Sequence, residues 1–280
     1  MAKSNWKAFP HPDKAYDYAG DKLAKAWAKL HAGDQEPFPD EKHIAKLLKA
    51  NPRLGKDAAK IADALQDAWR AFHRGDFHAA YEAGVALKAL GASVAIKAGG
   101  IHATYLVDND KDKTARFEAL AKLADEAIAA LPGEANSHYR RAFALGRYSQ
   151  TLSITQALAQ GIGGKVKESL DKALKLAPKH AEAHTALGLY HAEIVGKVGG
   201  MLAKLTYGAS AAEAEKQLKE ALKLTPDSPI AHVEYGNALM LLHGDKREDD
   251  VAEAYAKAAK LKPKDAMEAL DAAWAKEQIE

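Results

Sequence analysis

Cysteine is absent from the 280 residues. Disulfides, thiolate metal sites and a cysteine nucleophile are therefore excluded, and the composition suits a reducing compartment. Aromatics are scarce, at 7% of the chain against 48% hydrophobic residues in all. The apolar content is mainly Ala and Leu, which favours helices of small side chains over a strand-rich core. No charge sign dominates, because 40 Lys plus Arg are interspersed with 38 Asp plus Glu, and no broad field draws the protein towards nucleic acid or anionic lipid. Long hydrophobic runs are missing as well: the most apolar window, 84–101, carries Lys88, Lys97 and several glycines, which argues against a transmembrane segment. The opening MAKSNWKAFPHPDK lacks the apolar centre of a signal peptide, so the expected location is cytoplasmic. There is no Gly-x-Ser-x-Gly elbow and no serine with identifiable His and Asp partners, and Asp249 and Asp250 fall in a charged turn, KREDD. The expectation is a protein that is not an enzyme and uses no cofactor.

What is present is helical and repetitive. Residues 1–20 carry Trp6, Phe9 and Tyr16 between prolines, which predicts an irregular lead-in docked on the first helix. Helices are predicted over 21–31, 41–50 and 56–74, the last from the one-faced spacing of Ile61, Leu65, Trp69 and Phe72. AWAKLHAGD at 26–34 recurs as AWRAFHRGD at 68–76. In each, Gly-Asp suits a helix stop followed by the cap of the next helix. Residues 56–90 read as one helical hairpin, 91–109 as helix, loop or both, and 113–131 as a helix ended by Pro132-Gly133.

Beyond that point a register emerges. Pro132, Pro178, Pro226 and Pro263 each have Ala five positions earlier (Ala127, Ala173, Ala221, Ala258), and the first three have His six positions later (His138, His184, His232). Four positions past those histidines stand Ala142, Gly188 and Gly236, small enough for helices of one hairpin to approach closely. Agreement of independent positions across copies marks an internal repeat.

These positions resemble the tetratricopeptide (TPR) pattern, with Leu187-Gly188 the best match to its Leu-Gly pair. The spacing differs: two copies exceed the usual repeat of about 34 residues, with the extra residues at 152–165 and 195–210. Residues 135–226, with GGKVKESLDKALKLAP, AHTALGLYH and LAKLTYGASAAEAEKQLKEALKL, are also similar to the regulator of microtubule dynamics family of TPR-like proteins. The resemblance implies an all-α, TPR-like solenoid of antiparallel hairpins over 56–280, continuous with a helical cap over 1–55 and closed by a C-terminal cap at 266–279. Helical inserts would lengthen the hairpins by roughly 18 to 21 Å at about 1.5 Å per residue.

The same resemblance implies a concave groove lined by Tyr139, Phe143, Arg147, Glu182, Glu193 and Asn237, suited to a protein or peptide partner. The clamp of chaperone-tail-binding TPRs is largely missing, with Thr185, Leu189 and Val233 at the corresponding places. The favoured function is a non-catalytic interaction scaffold. One alternative is a small-molecule or metal site in a pocket closed by the inserts, with His180, His184 and Tyr207 contributing. Another is a cytoskeletal or membrane-surface adaptor. A closed pocket would favour a ligand and an open groove a peptide.

Three further patterns carry weaker chemistry. His180, His184 and His191, with Glu193 nearby, share a helical face, a known metal-ligand geometry. The repeat register already assigns two of them to packing, so no metal is expected. GIGGKVKES at 161–169 could hold a phosphate, but Ala159 and Val166 break the P-loop pattern, and a hinge is favoured. Arg140, Arg141, Arg147 and Tyr148 could meet RNA, although adjacent arginines diverge on a helix and an ion-paired face is favoured.

Overall fold

The computed structural model describes residues 6–280, and these form helices joined by short turns, with no strand among them. In chain order the helices are α1 (Lys22–Leu30), α2 (Glu41–Ala50), α3 (Ala58–His73), α4 (Phe77–Ala86), α5 (Ala92–Leu106), α6 (Asp110–Ala130), α7 (Ala135–Gln150) and α8 (Ile154–Ala159). They continue as α9 (Ile162–Leu176), α10 (Ala181–Val198), α11 (Gly200–Tyr207), α12 (Ala211–Leu224), α13 (Pro229–His243), α14 (Glu248–Lys260) and α15 (Ala266–Glu277). Their starts follow from polar side chains that satisfy backbone N–H groups otherwise left without partners. Asp40, Asp57, Asn109, Ser210 and Asp265 each accept such a bond at the head of a helix.

Neighbouring helices pack as antiparallel pairs along the chain, α3 with α4, α6 with α7, α7 with α9, α10 with α12 and α13 with α14. This is a solenoid-like all-α fold. The register has a physical basis. The imidazoles of His138, His184 and His232 each donate from Nε2 to the carbonyl of the proline six residues back, at 2.9, 3.0 and 2.8 Å, clipping these three turns in the same way. At Gly188 a Cβ would stand 2.5 Å from Leu218 Cγ and 3.0 Å from the Ala214 carbonyl, so α10 and α12 approach as closely as the small residue permits.

Segment 92–106, open between helix and loop on sequence grounds, is a helix that is buried on almost every side. A helix apolar all round belongs in a core, and α5 packs against α3, α4, α6 and α7. The lead-in departs from expectation. Trp6 and Phe9 dock on α4 and α5 instead of on α1: the Trp6 ring lies 4.3 Å from His102 and 5.2 Å from Tyr81, and Phe9 lies 6.1 Å from Phe77. Residues 1–5 of that lead-in lie outside the described residues.

The inserts also differ from a simple lengthening of the hairpins. They fold as separate short helices, α8 and α11, because Gly161, Gly199 and Gly208 take left-handed φ angles of +62°, +80° and +64°, which turn the chain sharply at little steric cost only for glycine. At the far end α15 does more than cap the array. His73 of α3 meets Asp265 at 2.8 Å and the Tyr18 hydroxyl donates to the Lys264 carbonyl at 2.6 Å, so the C-terminal helix is tied back to the N-terminal ones.

Substituting Gly188→Ala forces α10 from α12 and is expected to destabilise the protein by about 1–3 kcal/mol, the usual range for overpacking. Urea denaturation of the two proteins measures the difference, and equal stability would show that Leu218 moves aside freely.

Candidate functional site

The curl of the array leaves a cavity of about 450 Å³. Its walls are the inner faces of α5, α7 and α10, and its floor is formed by α13 and α15. α8, the start of α9 and Tyr207 at the end of α11 also line it. By exposed area most of the lining is apolar, including Ile101, Phe143, Leu152, Leu189, Ile194 and Met267. Charged side chains are set among these. Arg147 reaches Glu234 at 2.9 Å, and the Gln150 amide donates to Glu193 at 2.6 Å.

Of the six residues expected on the groove, Tyr139, Phe143, Arg147, Glu182 and Glu193 line this cavity. Asn237 does not. Its amide donates to Glu234 at 2.8 Å and its carbonyl accepts from the Tyr255 hydroxyl at 2.6 Å, so it braces α13 against α14.

One end of the groove is filled by the chain itself. The turn after α1 inserts Asp34, which is fully buried and receives Lys97 of α5 and Arg140 of α7 at 2.6 Å each and His31 Nδ1 at 2.8 Å. Glu182 of α10 completes the set, meeting Lys97 at 3.2 Å and Arg140 at 3.3 Å while its backbone N–H donates to the Gly33 carbonyl at 3.0 Å. Asn136 donates to the Asp34 carbonyl at 2.9 Å and accepts from His180 Nε2 at 3.0 Å, which leaves His180 Nδ1 free to cap α10 through the Ala183 N–H.

The electrostatics follow from this geometry. Burial opposes the Asp34 carboxylate, but Lys97, His31 and Arg140 outweigh it and hold the carboxyl well below its usual range. Burial, then the Asp34 charge, raises Glu36 to about 7; it accepts a hydrogen bond from Ser93 at 2.6 Å. Burial lowers His31, His102 and His180 from 6.5 to about 4 each.

Sequence reasoning assigned Asp34 to a helix cap. The structure corrects this, since Asp34 is the hub of a buried ion cluster, and its counterpart Asp76 makes no side-chain cap either. The only signal lay in the repeated His-x-Gly-Asp, whose partners are remote in sequence.

The other patterns resolve into packing. His180, His184 and His191 do not converge: His184 meets Gln217 and the Pro178 carbonyl, and His191 meets the Ser210 N–H. Among the described residues no group of three or more His, Asp or Glu could hold a metal ion. Gly163 and Gly164 belong to the first turn of α9, beside the cavity mouth. Arg140 is buried in the cluster, Arg141 pairs with Asp125 at 2.6 Å and Arg147 pairs with Glu234, so the basic patch is an ion-paired one. Tyr148 packs among the apolar side chains around α7. Of the residues named for a closed pocket, Tyr207 is on the lining and the two histidines are held elsewhere.

Fold and site together define an all-helical hairpin protein with an apolar-lined pocket between its helices. The family described as regulator of microtubule dynamics protein 1-3 matches residues 100–277, well over half of the chain, and the chain belongs to that family. No curated protein sequence matches it significantly. Among the described residues no helix is long and apolar enough to cross a membrane.

The shifted groups set a pH dependence. The three histidines take up protons in the unfolded chain below 6.5 but in the folded protein only near 4, so each contributes stability that is lost as pH falls through that window. Glu36 acts oppositely, adding stability below its ordinary 4.5 and losing it as pH rises through about 7. His191 and His232 are lowered in the same direction, whereas burial raises Asp271 and Glu268, which act with Glu36. Five histidines against three acids give a net loss on acidification from pH 7 to 4.5. Thermal unfolding across that range should show a falling Tm; a rising one would mean that the buried acids prevail.

Proposed function

We propose that the protein is a non-catalytic binding module whose cavity holds a small, largely apolar molecule. The observation that carries this reading is the apolar-lined pocket between α5, α7 and α10, with α8 and the start of α9 along one side and α13 and α15 as its floor. A volume of about 450 Å³ lies within the usual range of ligand pockets, roughly 300 to 1,000 Å³. Tyr139, Phe143, Arg147, Glu182 and Glu193 are its wall residues.

Gly146 offers a clean test. It lies within α7 on the cavity lining, and a Cβ there meets nothing within 4 Å. Gly146→Leu should fill the cavity while raising stability by about 0.5–1 kcal/mol through helix propensity. Titration with Nile red, a neutral apolar dye, should give saturable binding to the native protein and little to the variant. Equal binding by both would remove the cavity from consideration.

A second reading, docking of a protein partner, draws support from the family's description, which names microtubule dynamics, and from α11, where Met201 and Leu205 are 82% and 80% exposed. Exposed apolar side chains on a short projecting helix suit an interaction surface. On this reading Met201→Ser with Leu205→Ser lowers the fraction that co-sediments with microtubules, and a native protein that stays in the supernatant counts against it.

A further inference from the structure

The cavity floor carries an acid of which one oxygen is used by neither the fold nor the ion cluster. Asp271, in the middle of α15, is 1% exposed and lines the cavity. Its Oδ1 accepts a hydrogen bond from the Tyr105 hydroxyl of α5, whereas its Oδ2 is buried with no hydrogen-bond partner. An unpartnered buried carboxylate oxygen is costly, since burial removes its water without a replacement.

The surroundings make the omission specific. Each neighbouring carboxylate has a cation or an imidazole within reach: Glu234 meets Arg147 at 2.9 Å, Glu268 meets Lys264 at 2.7 Å and Asp265 meets His73 at 2.8 Å. No ion pair reaches Asp271 among the described residues; its one polar contact is a phenol. Burial raises its carboxyl well above the ordinary range, and Glu268, Asp265 and Glu234 add to that rise although the Tyr105 bond opposes it. Asp271 is therefore a buried acid that keeps its proton and has no cation beside it.

We propose that Asp271, with Tyr105 beside it, is the recognition point for a protonated amine on the cavity ligand, whose apolar remainder lies along the walls of α7 and α10. This rests on the reading of the cavity as a ligand site and adds the ligand's polar chemistry to it. An amine that enters the site takes the proton that burial holds on the Asp271 carboxyl, and the resulting ammonium donates to Oδ2 while the Tyr105 bond stays in place. Carboxylate and ammonium in a site away from water form a charge-assisted bond stronger than a neutral one. An anionic end group finds no free cation on the floor, since Arg147, Lys264 and His73 already have partners.

The probes are decylammonium, decanol and decanoate, which share one apolar chain and differ in the end group. Their dissociation constants for the full chain are measured by displacement of Nile red. The native protein is expected to bind decylammonium about tenfold or more tightly than either other probe, each factor of ten corresponding to about 1.4 kcal/mol. In Asp271→Asn, which retains an acceptor for Tyr105, that preference should fall to near unity while Nile red affinity is unchanged, showing an intact cavity. Decanol or decanoate binding as well as decylammonium overturns the proposal, as does a preference that survives in Asp271→Asn. If the variant does not fold, the ranking of the three probes on the native protein decides alone. Failure of Nile red and all three probes to bind would overturn the cavity reading itself, whereas binding without preference for the amine overturns only the role of Asp271.

Discussion

Asp34 sits where water does not reach, held by Lys97, Arg140 and His31, and four separate parts of the chain meet on it: the turn after α1, then α5, α7 and α10. Carrying these charges out of water opposes folding, and their mutual attraction offsets that cost only when the geometry is complete. Here it is. Glu182 bridges both cations, Asn136 satisfies the backbone carbonyl of Asp34, and His180 satisfies Asn136. Such a cluster adds little net stability over an apolar core, but it tolerates only one relative placement of its members. It therefore fixes how α5, α7 and α10 stand to one another, and the cavity is the space between those same helices.

The inserts and the C-terminal helix complete that space by different means. Glycines with left-handed φ angles break the long connections into α8 and α11; α8 lines the pocket and α11 reaches it through Tyr207. At the opposite side α15 returns to α3 through His73 and Asp265 and to α5 through Tyr105 and Asp271. The last helix of the array is thus bonded to its first third.

Much of the local architecture was legible. The boundaries of α1, α2, α3 and α6 follow from caps, prolines and apolar spacing within a few residues. The histidine register named a contact that the structure repeats three times. Five of the six residues expected on a groove lie on the pocket lining, and Asn237 faces Tyr255 of α14. The ion cluster was illegible, since the partners of Asp34 lie 63, 106 and 3 positions away and nothing local in HAGD tells a buried hub from a cap. Asp271 was equally hidden within a segment that reads as a plain amphipathic cap.

Sequence alone determined the helical class, the hairpin register and the family, because these depend on short-range periodicity, on turn residues and on small side chains at fixed offsets. Tertiary structure alone decided that a pocket lies between the inner helices, that the chain's own acidic turn is buried among Lys97, Arg140 and Glu182, and that one acid on the pocket floor has an oxygen without a partner. Those outcomes depend on how the two ends of the array meet. Burial and pairing between residues far apart in the chain have no trace in local pattern.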